Sequence, residues 1–340
     1  MKIKIFRRKF NQGTGSFRPA AEIIAFLLVV SLTLLVLPEN SEAKEWPTKP
    51  ITLIVPWPAG GGADRAARFL TPRLSKLLSV PISVVNKPGA SGIIGTLDAV
   101  KAPPDGYTLL MDCNGGSSIQ YAWADNLPYK VEERTYIARV VFTPMGLIVP
   151  GSSPWRTVED LVNAIRTNPS SISFGAGAGA PDVPIAQFRA ALKAKCIDVS
   201  KVRPVTFKGS GEIYPAVAGG HVSFSVASPG GVNALISAGK IRVLAMTSSA
   251  RYKGWPEVPT MAEAGFPSVN GLFWAGLGGP PGLPANIAQI LDSAVSESLS
   301  GPDVIDTLDK MDFFVFYLPG DKYRKFVLDE GKAIKALNLK

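Results

Sequence analysis

The chain has almost nothing with which to hold a metal. One histidine, His221, and two cysteines, Cys113 and Cys196, stand among 340 residues, and neither cysteine belongs to a CxxC pair. Zinc sites need clustered thiolate and imidazole ligands, so no metal and no other cofactor is expected. No serine sits in a GxSxG elbow, and a serine triad would have to recruit His221, which Gly219-Gly220 places at a turn entering a strand. A secreted hydrolase is therefore the least favoured reading. No glycine run is followed by the Lys-Ser/Thr of a phosphate loop. There is no run of Lys and Arg interleaved with aromatics, so nucleic acid is not expected as a partner.

Long apolar runs are also missing. The longest, Ile23 to Leu37, covers 15 positions, short of the ~20 needed to cross a bilayer. It follows a basic start (Lys2, Lys4, Arg7, Arg8, Lys9) and precedes Ser41-Glu42-Ala43. Charged, apolar and small-residue segments in that order predict a signal peptide over residues 1–43, cut after Ala43, and hence an exported, periplasmic protein. Arg7-Arg8 leaves both the general and the twin-arginine export routes open. Removing those residues takes away six cations and three anions and lowers the net charge from +9 to +6. That surplus is modest and favours acidic solutes slightly. In an oxidising compartment two cysteines can pair, but these two are expected in different lobes, where a bridge would restrain a hinge. Two free thiols are expected.

What the chain does have is glycine at strand-to-helix junctions. Val55-Pro56-Trp57-Pro58-Ala59-Gly60-Gly61-Gly62-Ala63-Asp64-Arg65 runs from an apolar strand through three glycines into a helix start. Glycines let a ligand approach the backbone, and the first N–H groups of a helix have no internal partner, which suits a carboxylate or a phosphate. The plain alternative is a tight turn with Asp64 capping. A second run, Gly175-Ala176-Gly177-Ala178-Gly179-Ala180, again follows a strand and precedes a helix. Two shorter loops, around Asn114-Gly115-Gly116-Ser117 and Lys208-Gly209-Ser210, share the context and add short polar groups. Lys208 is a candidate contact to the ligand, against an ordinary solvated lysine whose charge opposes the helix dipole.

Strands and helices alternate in the βαβ rhythm of a mostly parallel sheet. Strands are expected at 51–56, 82–85, 107–111, 145–150, 171–175, 202–207, 221–227, 242–247 and 273–278. Helices are expected at 63–78, 92–100, 157–167, 183–195, 212–218, 232–238, 285–299 and 321–337. A second α/β unit starts near residue 147, and the elements after Gly271 are too few for a third. The expected fold is two-lobed α/β: residues 46–146 with 271–340 form a discontinuous first lobe and 147–270 the second. The chain then crosses twice between lobes, which makes a hinge. Ligands of open α/β sheets sit beyond the carboxyl ends of the strands, where the four loops lie. One glycine loop from each lobe would grip an anion from both sides.

The ordered motifs Trp46-Pro47-Thr48-Lys49-Pro50-Ile51, Pro56 to Arg65, Val85-Asn86-Lys87-Pro88-Gly89-Ala90, Pro104-Asp105-Gly106-Tyr107, Lys208-Gly209-Ser210 and Val258-Pro259-Thr260-Met261-Ala262-Glu263-Ala264-Gly265-Phe266-Pro267 resemble the Bug family. These are extracytoplasmic solute receptors of tripartite tricarboxylate transporters, and the likeness extends from Trp46 to the carboxyl end. The resemblance implies a type II periplasmic binding protein that captures a small organic acid and delivers it to the transporter's membrane permease. A monomer is expected. The resemblance assigns the ligand carboxylate chiefly to backbone amides and ordered waters at the loops holding Pro58, Ala59, Gly60, Gly61, Gly62 and Ala63 and Gly175 to Ala180, with no dedicated arginine. Phe207 stands where the family usually has Tyr, Ala227-Ser228 where it has Asp-Asn, and Gly179-Ala180 where Gly-Ser is commoner. With three polar handles absent, the far end of the ligand is expected to be less polar or differently substituted. A receptor that signals to a sensor partner, and a phosphorylated or aromatic acid as ligand, stay open.

Overall fold

The computed structural model describes residues 46–124, 126–176, 182–207 and 210–336, with the backbone alone at Ser210. The expected signal peptide lies outside the described residues, as do Gly177, Ala178, Gly179, Ala180, Lys208 and Gly209. From Trp46 onward the chain alternates as its periodicity predicts. β1 (Ile51–Val55) leads through the glycine loop into α1 (Gly62–Leu78), followed by β2 (Ile82–Asn86), α2 (Ile93–Val100) and β3 (Thr108–Cys113). β1 pairs in parallel with both β2 and β3, placing Leu53 between Val84 and Leu109. Parallel neighbours need a crossover long enough to hold a helix, which α1 and α2 provide. α1 keeps Ala63, Ala66, Ala67, Leu70 and Leu74 buried, a stripe at helical spacing that lies against β1, β3 and the later α8.

α3 (Ser118–Trp123) then precedes β4 (Thr135–Pro144), and Met145 alone separates β4 from β5 (Gly146–Pro150). A second series follows: α4 (Val158–Thr167), β6 (Ser173–Ala176), α5 (Asp182–Ala194), β7 (Arg203–Thr206), α6 (Ser210–Ala218), β8 (Ser225–Ala227), α7 (Pro229–Ser237) and β9 (Ile241–Met246). α4 starts on a reciprocal cap in which Thr157 Oγ1 accepts from the Asp160 N–H and Asp160 accepts from the Thr157 N–H. After the return segment come β10 (Leu272–Gly279), α8 (Ala285–Ser298), α9 (Pro302–Lys310), β11 (Phe314–Pro319) and α10 (Gly320–Ala336).

The strands form a six-stranded sheet in the order β11-β4-β10-β3-β1-β2, a three-stranded sheet β8-β5-β9 and a two-stranded sheet β6-β7. A bridge between Phe174 and Phe224 joins the last two sheets. The fold is mixed α/β. Parallel pairing holds at β1/β2, β1/β3 and β6/β7, whereas β10 runs antiparallel to β3 and β4, and β11 to β4. β5 is likewise antiparallel to β8 and β9.

The chain leaves the six-stranded sheet at Met145 and returns between Met246 and Leu272. Thr247 ties the two passages together. Its N–H donates to the Met145 carbonyl (2.7 Å), its hydroxyl accepts from the Met145 N–H (3.0 Å), and the same hydroxyl donates to the Gly271 carbonyl (2.7 Å). β8 begins away from its expected place. β8 starts at Ser225 and not at His221, because the turn that ends α6 runs on through exposed His221, and Gly220 takes a positive φ of 74° there. α3, β4, α9 and β11 are absent from the sequence expectation altogether. Both cysteines are free, Cys113 buried at the end of β3 and Cys196 exposed after α5.

Candidate functional site

The first glycine loop opens at the carboxyl end of β1. Gly61 is the N-cap residue of α1, in ordinary extended backbone (φ −71°, ψ 170°), and no side chain caps the helix. The first-turn N–H groups of Gly62, Ala63 and Asp64 therefore begin the helix without a capping acceptor. Asp64 lies inside the helix and turns back to fix the loop. Its Oδ2 accepts from the Gly60 N–H (2.8 Å) and Arg68 Nε (2.9 Å), and its Oδ1 from Asn86 Nδ2 (3.0 Å). The Gly60 amide is thus occupied by the protein itself, and the Gly61 N–H leans on the Pro58 carbonyl at 3.4 Å. Gly60 needs its glycine for a φ of 81°, and a Cβ at Gly62 would stand 2.9 Å from the Phe273 ring.

Burial opposes ionisation of Asp64, but the hydrogen bonds from Arg68, Gly60 and Asn86 outweigh it and hold the carboxyl below the usual carboxylate range. A lowered native pKa stabilises the folded form fully above the unfolded-chain value near ~4 and loses that contribution as pH falls through the native value. Urea midpoints measured from pH 3 to pH 6 should therefore fall on the acid side more steeply in the wild-type protein than in Asp64→Asn.

The loop after β3 is buried and turned inward. Asn114 Nδ2 donates to the Leu272 carbonyl (2.9 Å), fixing the start of β10, while its Oδ1 is buried without a partner. The Gly115 and Gly116 amides point at the Cys113 sulfur. Burial and neighbouring Asp112 nonetheless push that thiol up to about 12, so it stays protonated. Ser117 donates its hydroxyl to Asp112 Oδ1 and accepts from Arg134 Nη2. Asp112 and Arg134 form an ion pair at 3.4 Å with both side chains 2% exposed. Tyr323 adds a hydroxyl donor to Asp112 Oδ2 at 3.0 Å. Burial works against the Arg134 charge, but Asp112 prevails and keeps the guanidinium above its ordinary value. This network fixes the loop's shape from behind.

The other loops open from the carboxyl ends of β6, β7 and β8. The Gly175 N–H donates to the Phe224 carbonyl, the Phe207 N–H to the Ala176 carbonyl, and Ser225 Oγ to the Gly175 carbonyl. These bonds gather Gly175, Ala176, Phe207, Ala227 and Ser228 at one end of the parallel strands. Ala227 is buried in β8, and Ser228 is the extended N-cap of α7, whose side chain makes no capping bond.

The two groups of loops meet through Arg65, a residue absent from the expected set. It lies in the first turn of α1, and a Cβ at Gly230, in the first turn of α7, would stand 2.1 Å from its Nη1. The Arg65 guanidinium therefore reaches the first turn of α7. Arg65 Nη1 donates to the Met311 carbonyl (3.2 Å), its guanidinium lies 4.8 Å from the centre of the Phe313 ring, and its Nε and Nη2 are buried without partners. Burial pulls its pKa down, against the opposing pull of Tyr214 and Asp312. Beside it, Asp312 accepts from the Tyr252 hydroxyl and from Asn233 Nδ2 (2.6 Å). The sequence signal for Arg65 was its place as the first cation after the three glycines.

Among the described residues, no group of three or more His, Cys, Asp or Glu could hold a metal, and no helix is long and apolar enough to cross a membrane. Two sheets that the chain joins twice, with glycine loops at strand ends, are the setting in which a solute-binding receptor holds its ligand. Residues 66–339 match the tripartite tricarboxylate transporter family receptor, TctC, and the chain belongs to that family of periplasmic solute-binding proteins. The UPF0065 protein in the tcbD-tcbE intergenic region of Pseudomonas sp. (strain P51) is 30% identical over 269 residues, 78% of each chain. MatC (Rpa3494) from Rhodopseudomonas palustris with bound malate has a similar structure, with a TM-score of 0.79 and 25% identity over 86% of this chain and 99% of that one. Rpa4515 of R. palustris with adipate gives 0.78 and 25% over 86% and 98%.

Proposed function

We propose that this chain is exported to the periplasm, captures a small dicarboxylate between the α1 and α7 amino termini, and delivers it to the membrane permease of a tripartite transporter. The observation that carries this reading is the convergence of the two helix starts around Arg65. Partial positive charge at each helix start favours a carboxylate, and a cation with two unpartnered N–H groups adds a full charge between them. Malate and adipate, bound by two similar receptors, each have two carboxylates, which suits two facing donors. In this reading the strands of the six-stranded sheet and those of β5 to β9 belong to two lobes, divided near residues 146 and 271, that close on the ligand. One carboxylate meets the free first-turn amides of the Pro58 to Ala63 loop. The other meets Arg65 and the loops holding Gly175 to Ala180, Lys208-Gly209 and Ala227-Ser228. Phe207 and Ala227, without polar tips, favour a plain methylene chain between the two carboxylates over one dense in hydroxyls.

A thermal-shift screen of the mature protein tests this directly, because a ligand that binds only the folded state raises the melting temperature. Malate, adipate and their homologues are expected to raise it, and sugar phosphates are not. Arg65→Gln should weaken the best dicarboxylate about tenfold or more, the effect of losing a charge-assisted hydrogen bond. Unchanged affinity in that variant would remove Arg65 from the site, and a screen in which only phosphates respond would overturn the carboxylate assignment.

A further inference from the structure

A cavity of about 390 Å³ lies beside the return passage, lined from one side by Arg139, Phe142, Trp274 and Glu330 and from the other by Val183 and Gly271. None of the glycine-loop residues lines it, so it is separate from the site between α1 and α7, and a ligand held here is independent of any dicarboxylate captured there. Its volume falls within the range of small-molecule pockets. Arg139 rises from the middle of β4 with only 1% of its surface exposed. The Phe316 and Phe326 rings flank its guanidinium at 3.5 and 4.1 Å from their centres. Nε donates to the Phe316 carbonyl (3.1 Å), and Nη1 is buried with no partner. No carboxylate of the described residues comes within ion-pairing distance of it.

A buried cation without an ion-paired carboxylate is costly and is normally matched by a counter-charge. Glu330, the one acid in the lining, feels the Arg139 charge but forms no ion pair with it. Its Oε2 accepts from Trp274 Nε1 (2.7 Å) and from the Ser118 hydroxyl. Burial raises its pKa, against the pull of those bonds and of Arg139. Burial also lowers Arg139, to about 10, which still leaves it charged at neutral pH. Gln187, Ser268 and Asn270 add polar groups on one stretch of the lining, where Gln187 is bonded to Asn270 and Gly271; Phe142, Leu272, Phe316, Phe326 and Ile334 are apolar. We propose that this cavity is a second binding site, for a monocarboxylate with an apolar alkyl or aryl tail. The carboxylate meets Arg139, and the tail lies along Phe142, Leu272 and Ile334. A second carboxylate would be set beside Glu330 and among apolar side chains, which separates this ligand class from the dicarboxylates.

Octanoate is the probe, with 1-octanol and suberate as neutral and doubly charged counterparts of the same length. Titration calorimetry on the mature protein should show octanoate binding more tightly than either counterpart. Arg139→Gln should weaken octanoate about ten- to hundredfold, the range for a charge-assisted hydrogen bond, and leave octanol unchanged. Ala333→Trp, at an exposed lining position, should block the mouth and abolish octanoate binding without disturbing the core, so the test stands even if Arg139→Gln fails to fold. Gly61→Val should leave octanoate binding intact, since that glycine belongs to the other site. No octanoate binding, equal binding of octanol, indifference to Ala333→Trp, or loss in Gly61→Val would each overturn the proposal.

Discussion

Gly61→Val is expected to weaken dicarboxylate binding by about a hundredfold or more while moving the melting temperature by only a few degrees. An N-cap side chain sits against the N–H groups of the first turn, so two methyl groups there would cover the amides of Gly62, Ala63 and Asp64. Loss of two charge-assisted hydrogen bonds amounts to at least ~3 kcal/mol of binding energy. The fold should tolerate the change. Gly61 has ordinary extended dihedrals, and a Cβ there would meet nothing nearer than the Pro58 carbonyl at 3.3 Å. Its neighbours give the contrast. Valine at Gly60 meets open space but a forbidding φ of 81°, and valine at Gly62 runs into Phe273. Those two variants should lose stability as well as affinity. Titration calorimetry with the best dicarboxylate, paired with a melting curve for each variant, checks the separation, and unchanged affinity in Gly61→Val would remove the loop from the site.

The second large effect concerns stability. Asp112→Ala should cost about 3–5 kcal/mol, because it leaves Arg134 charged, buried and without its counter-ion. Ser117, Tyr323 and the adjoining glycine loop lose an acceptor at the same time. The double variant Asp112→Ala/Arg134→Met should cost less than the sum of the two single changes, since no charge is then stranded. Urea denaturation of the four proteins measures the coupling. A loss in Asp112→Ala below about 1 kcal/mol would mean that water replaces the aspartate and that the network is not rigid.

The glycine loops were legible because their physics is local. A strand, three glycines and an amphipathic helix announce themselves within the Val55 to Leu78 stretch, and α1 occupies nearly the predicted span. The family motifs extended that reading to the whole chain. β4 escaped because its pattern belongs to its partners: Thr135–Pro144 is buried on both faces and so does not alternate, and it carries Arg139, whose aromatic cover comes from Phe316 and Phe326 far along the chain. Antiparallel pairing of β10 with β3 and β4 was illegible for a related reason. Strand direction depends on where the chain returns, and residues 272–279 read the same in either orientation. Asp64 looked like a cap, whereas the structure makes it an acceptor for Gly60 inside the turn, a distinction set by one residue of register. Arg65 was visible as a charge, but its meeting with Gly230 is a fact of tertiary structure.

Thr247 holds both chain passages at a single point, bonded to Met145 on one side and Gly271 on the other. Two independent straps would permit sliding as well as swinging. A common pin leaves rotation as the soft coordinate of any movement between the sheets. In the proposed receptor, ligand occupancy would then register as one angle, a quantity that the proposed permease could recognise without touching the cargo.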